Sequence, residues 1–284
     1  MRCFAKKRLH TIYWHRKQRA QQLRQEHRKV RSLFSANTSN LKRDNASVIS
    51  ICEDNNGNIW LGTVGGLQKL NVQKKHYQPQ PLSCVDPAGF QIWAMLKDTL
   101  GLFWLGTSKG LIRFNPYNLE CTLYNTQNAG LSNNGIPALC IIGNELWIGT
   151  KMGLNIFDFQ SKEYRQYYSD PANENSLPGN SINHILQTSL GDIWVSTTAG
   201  LCKYSTAHDG FFTYTTDKWP SAIVFGVLED KQQTLWASTH HGLVNLKPSG
   251  EIIKAYDIDD GLQSNQFLAG AFMKTGDGEM YFGA

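Results

Sequence analysis

The sequence predicts an all-β propeller of four-stranded blades, and three observations predict it. A phrase of Trp, two small or apolar residues and Thr begins at Trp60, Trp104, Trp147, Trp194 and Trp236, with Tyr281-Phe-Gly-Ala284 as a sixth, variant copy. The copies lie about 44 residues apart, and a Gly-Leu pair follows each of the first five. No stretch of the body has helical periodicity, and a β-sandwich would not repeat its own sequence five times.

The second unit displays the pattern of strands. Ile92–Lys97 reads as the inner strand, and the turn Asp98-Thr-Leu-Gly101 leads into Leu102–Thr107. A tight Ser108-Lys109-Gly110 turn gives a third strand, Leu111–Asn115, and Glu120–Asn125 is the outer strand. The strands are rich in β-branched and aromatic residues, and glycine supplies the positive φ that the turns need. The repeated Trp brings the apolar area that joins one sheet to the next. Gly or Ser two places later removes bulk where the sheets press together.

At the ends, Val30–Phe34 matches an outer strand and crossover, while Phe267–Lys274 and Glu279–Ala284 match two strands of a last blade. The expected organisation is a basic leader over 1–29, helical or disordered, followed by a propeller over 30–284. That body would hold five complete blades plus partial strands at both ends. Its ring would be either incomplete, as in a piece of a longer protein, or six-bladed and imperfectly closed. Exposed edges and uncovered blade faces then predict self-association.

Composition narrows the function. Hydrophobic residues make up 41% of the 284 and aromatics 11%, a globular balance. No run is long and apolar enough to span a membrane, and the N-terminus has no signal-peptide core. Residues 1–43 carry 13 of the 28 Lys and Arg with a single acid, Glu26. The rest carries 15 Lys and Arg against 22 Asp and Glu, so the body is acidic and a nucleic-acid partner is not expected. The leader could hold phosphate or anionic lipid, but its apolar line of Leu9, Ile12 and Leu23 is thin, and a disordered tail or gene-boundary remnant is the simpler reading. Six cysteines show no metal or CxxC spacing. A core of this size needs no disulfide framework, and Cys52, Cys140 and Cys202 read as buried strand thiols.

The unit Ser47–Asn71, SVISICEDNNGNIWLGTVGGLQKLN, closely resembles the two-component-regulator propeller repeat. The segment Asp260–Ala284, DGLQSNQFLAGAFMKTGDGEMYFGA, resembles the last such repeat in periplasmic sensor regions of Bacteroidetes hybrid two-component systems. The resemblance spans about residues 30–284. It implies a module that senses glycans or oligosaccharides, with a second propeller, an immunoglobulin-like Y_Y_Y domain and the rest of a sensor kinase as partners. It also implies a periplasmic location. The chain departs from the family in having no signal peptide, membrane helix, kinase or receiver, and expressed as it stands it would be cytoplasmic. The same repeat fronts some diguanylate cyclases, so the output stays open.

No residue pattern demands catalysis. GxSxG, HExxH and glycine-rich phosphate loops are missing. The turns Asp54-Asn-Asn-Gly57 and Asp98-Thr-Leu-Gly101 resemble Asp-box hairpins and offer too few oxygens for calcium. His240-His241 is the one adjacent histidine pair; neighbours on a strand would point to opposite faces, so no metal site is expected there. No cofactor is expected. Loops between second and third strands, and crossovers between blades, should share one face. The ligand candidates on it are Lys109, Lys151, Met152, His240, His241, Asn134 and Trp219, with Phe90 and Asn183 beside them. The non-ligand readings are solvated turn residues for the lysines and a crossover plug for Trp219. Beside the leading expectation of a carbohydrate-responsive sensor stand two others. One is a protein-docking scaffold, and the other a propeller lyase or glycosidase, the lyases having similar repeats.

Overall fold

The computed structural model describes residues 47–71, 76–86, 89–215 and 218–284. The leader and Val30–Phe34 lie outside the described residues. Each expected full unit is one four-stranded antiparallel sheet with its strands in sequence order. In the second blade these strands are Ile92–Lys97, Phe103–Thr107, Leu111–Phe114 and Cys121–Tyr124. The inner strands Val48–Glu53, Ile92–Lys97, Ala138–Ile142, Ile182–Gln187, Val224–Glu229 and Phe272–Lys274 lie side by side in succession. That is the radial order of a propeller.

The sixth unit begins later than the sequence suggests. Its inner strand starts at Phe272, not Phe267, and among the described residues pairs with Met280–Phe282 alone. Residues 268–271 instead form a turn closed by Ala271 N–H donating to the Leu268 carbonyl at 3.2 Å, with Gly270 at φ +74°. Phe267 is buried as the apolar residue before that turn.

The first four members of the Trp series face inward between blades, whereas Trp236 is half-buried against Tyr256 of its own blade and Tyr281 is exposed. Trp60, Trp147 and Trp194 are at most 1% exposed, and Trp104 is 5% exposed. Each ring leans on the following blade: Trp60 meets Phe103 and Phe114 edge-on, Trp104 meets Phe159, and Trp147 meets Tyr204. The glycine two places later is there for space. A Cβ on Gly62 would sit 2.7 Å from Ile92 Cγ2, and one on Gly149 would sit 2.6 Å from Ile182 Cγ2. In both cases the neighbour opens the inner strand of the next blade.

The aspartates of the first turns are structural. Asp54 Oδ1 accepts the amides of Asn56 and Asn58, while Oδ2 accepts Trp60 Nε1–H at 2.9 Å. Asp98 with Trp104 and Asp230 with Trp236 repeat the arrangement at 3.2 and 3.0 Å. Burial alone would raise the Asp54 carboxyl, but the donors from Trp60, Asn58 and Asn56 outweigh it and hold the group below the usual carboxylate range. The third blade lacks the aspartate, and Glu145 takes the Trp147 Nε1–H instead, at 3.0 Å.

The fourth blade has Thr188 at this position, and Trp194 Nε1 is buried there with no partner among the described residues. Thr188→Asp is therefore expected to stabilise the protein. A net hydrogen bond contributes about 0.5–1.5 kcal/mol. Glu229, which accepts from Ser189 next door, adds like-charge repulsion and should keep the gain near the lower end. Urea unfolding would check this; an unchanged or lower midpoint would count against a stabilising carboxylate–indole hydrogen bond at this position.

Candidate functional site

The turns between second and third strands are all built alike. Thr63, Thr107, Thr150, Thr197 and Thr239 each donate Oγ1–H to the carbonyl of the glycine three residues on, at 2.6–2.9 Å. Each hydroxyl also accepts the amide two residues on. The recurring Thr thus closes a turn of two residues before the glycine. The first turn amide then bonds the crossover entering the same blade. Val64 donates to Ser47, Ser108 to Gln91, Lys151 to Gly135, Thr198 to Ser181 and His240 to Ile223, at 2.9–3.2 Å. Turns and crossovers therefore share a face, as expected, on a scaffold that fixes their positions.

The candidates on that face divide into two groups. Trp219 is 7% exposed and packs with Val224, Val227 and Val244, so its ring belongs to the core between the fourth and fifth blades. Phe90 is likewise core, against Trp60 and Ile92. Asn134 is a crossover clamp: its Oδ1 accepts the Thr126 amide at 2.9 Å. Asn180 and Asn265 do the same for Ser169 and Ile258, both at 2.8 Å. Asn183 Nδ2–H donates to the Val224 carbonyl. These four are occupied with holding the fold.

Lys109, Lys151, Met152, His240 and His241 remain available to solvent. Lys109 Nζ donates to the Asp86 carbonyl at 3.2 Å. Met152 is 52% exposed. The histidines correct the sequence reading, because they occupy the turn rather than a strand and do not diverge. Their Nδ1 atoms approach to 3.2 Å, which requires one ring to donate and the other to accept. Among the described residues no group of three His, Cys, Asp or Glu is placed to hold a metal.

Sequence reasoning missed the inner-strand bulges and, Asn183 apart, the residues at them. Pairing shifts by one residue after Val48, Ile92, Ile182 and Val224, leaving Ile49, Trp93, Asn183 and Phe225 out of register. A bulge turns its extra residue off the pleat and re-aims the side chain. Trp93 is half-buried, donates Nε1–H to Gln91 Oε1 at 2.9 Å, and has Lys151 Nζ 4.5 Å from its ring centroid. Phe225 lies 6.4 Å from the His240 ring. The available signal was a tryptophan in an inner strand, outside the repeated Trp position.

His184 links three blades near the hub. It accepts the Val227 amide on Nδ1 at 3.3 Å, and its ring meets Phe272 at 4.5 Å. Burial pushes its pKa down to about 4, so the neutral ring is the folded form. The unfolded chain then takes up the proton first, and this contribution to stability is full above about pH 6.5 and is lost as pH falls toward 4. A loss of about 1–2 kcal/mol by pH 4.5 is expected relative to His184→Gln, allowing for partial solvent access. Coincident acid-unfolding profiles for the two proteins would remove His184 from the account.

The cysteines differ from expectation. Cys84, in the crossover leaving the first blade, forms a disulfide with Cys121 on the outer strand of the second, with Cα atoms 5.8 Å apart. Cys202 is fully buried as expected, but Cys52 and Cys140 are only half-buried. Burial raises all three free thiols among the described residues.

Repeated four-stranded blades with Trp rings packed between them define a β-propeller. The family described as two-component regulator propeller matches residues 42–65 and 176–199, in the first and fourth blades. The chain thus carries two-component-regulator propeller repeats. Histidine kinase P4 of Formosa agariphila is 32% identical over 275 residues, covering 88% of this chain and 19% of that protein. The extracellular domain of a hybrid two-component system from Bacteroides thetaiotaomicron superposes with a TM-score of 0.73 at 24% identity, over 84% of this chain and 32% of that one. A streptogramin B lyase shares the fold at TM-score 0.64 and 13% identity, over 86% and 78% of the two chains. The chain thus spans about a fifth of the kinase and a third of the extracellular domain.

Proposed function

We propose that this chain is the ligand-sensing part of a two-component sensor kinase, responds to oligosaccharides and has no catalytic activity of its own. The observation that carries the reading is the match to a histidine kinase along 88% of the chain, together with an open turn-and-crossover face. The rest of such a kinase, a second propeller and a Y_Y_Y domain would be its covalent partners. The Cys84–Cys121 bond supports a periplasmic setting, since disulfides persist in oxidising compartments and are rare in the cytosol. The lyase likeness rests on shared fold alone.

Glycan-array binding of the purified chain tests the proposal. Saturable binding to a defined oligosaccharide without turnover is the expected result. Binding to no glycan would overturn it and leave a protein-docking scaffold, and bond cleavage would point to the lyase class.

A further inference from the structure

We propose that the face around Trp93 recognises an anionic saccharide, one bearing carboxylate or sulfate, through Lys109 and Lys151. The inference deepens the oligosaccharide-sensing reading above and rests on it. It starts from a local charge that opposes the rest of the body. Outside the basic leader the chain is acidic, yet the outer turns of two adjacent blades each carry a lysine, Lys109 two residues after Thr107 and Lys151 one residue after Thr150.

The turn geometry fixes where they stand. Thr107 and Thr150 clamp the two turns, and the amides of Ser108 and Lys151 tie them to Gln91 and Gly135. Gln91 is also the residue that orients the indole, accepting Trp93 Nε1–H at 2.9 Å and donating its own amide to Ser108 Oγ at 3.1 Å. Trp93, Gln91 and the Ser108-Lys109 turn are thereby one connected unit of the second blade. The third blade leans Lys151 over that indole at 4.5 Å.

Neither lysine takes part in the ion pairs found among the described residues, which involve Arg165, Lys203, Lys247 and Lys254. Lys109 satisfies itself on a backbone carbonyl, and Lys151 on the face of a ring. A cation–π contact at an exposed site contributes only about 0.5–1 kcal/mol. A carboxylate or sulfate oxygen forming charge-assisted hydrogen bonds would be a stronger partner for either ammonium. Trp93 supplies an aromatic face for the apolar side of a sugar ring. An acidic sugar satisfies both halves of this surface. A neutral sugar would use the indole and leave the two ammonium groups where they are.

Titration calorimetry on the whole chain with tetragalacturonate, a sulfated chondroitin tetrasaccharide and cellotetraose tests the proposal. One or both anionic probes should bind with an affinity that falls as salt rises, and Lys151→Ala or Lys109→Ala should each weaken that binding about tenfold. Lys151→Gln, which retains a long side chain, should lose binding like the alanine variant, and unchanged melts would show that folding is intact. Equal or better binding of cellotetraose would overturn the anionic assignment while leaving oligosaccharide sensing in place. So would anionic binding indifferent to both lysine variants. A chain that binds none of these probes nor any glycan on the array would fail both readings. Binding of inorganic sulfate as tight as that of the sulfated sugar would reduce the surface to a simple anion site and overturn the saccharide assignment.

Discussion

Trp147→Ala is expected to cost about 3–5 kcal/mol, the range for truncating a large aromatic in a packed core. The ring is 1% exposed and lies between the third and fourth blades, among Leu177, Ile182, Ile185 and Phe211. Its edge-on contact with Tyr204 at 5.1 Å adds aromatic geometry to area. Truncation would leave a void bounded by two rigid sheets that cannot close over it. It would also remove the donor from Glu145, which keeps Arg165 as an ion-pair partner. Urea midpoints by far-UV circular dichroism measure the effect, and Trp147→Phe should lose distinctly less. An alanine variant as stable as the parent would mean that blade stacking does not depend on the Trp series.

The second large effect is redox. Reducing Cys84–Cys121, or replacing both residues by serine, is expected to cost about 4 kcal/mol on the loop-entropy view and 2–5 kcal/mol by precedent. The bond closes a loop between residues 37 apart, and Cys84 and Cys121 both pack beside the core between the first and second blades. Thermal melts with and without dithiothreitol should separate for the parent and coincide for the double serine variant. Parent melts that ignore reductant would show that the bond does not contribute, and would withdraw its support for a periplasmic setting.

Much of the architecture was legible because it is written once per blade. The Trp, the following Gly and the Gly-Leu pair are local demands, each set by one turn or one contact that every blade makes again. The strands of the second unit were readable almost to the residue for that reason. The sixth unit was misread at Phe267, where a turn over 268–271 interrupts the apolar run. Asn134 and Trp219 were read as ligand candidates because polarity and aromaticity do not reveal direction. One turns back to clamp a backbone amide, and the other fills the core. The disulfide was missed since nothing in its spacing brings Cys84 to Cys121.

By itself, then, the sequence determined the repeat, the four-stranded unit and the face on which the loops meet, since these follow from period, turn chemistry and side-chain volume along a short stretch of chain. Only the tertiary structure decided which loop residues are free. It placed Trp93 on a bulge beneath Lys151, drew two histidines together on one turn, and left Trp194 without the acceptor that its sisters have. The reason is physical: such contacts join residues of different strands or blades, and their distances depend on how whole sheets pack rather than on any local pattern.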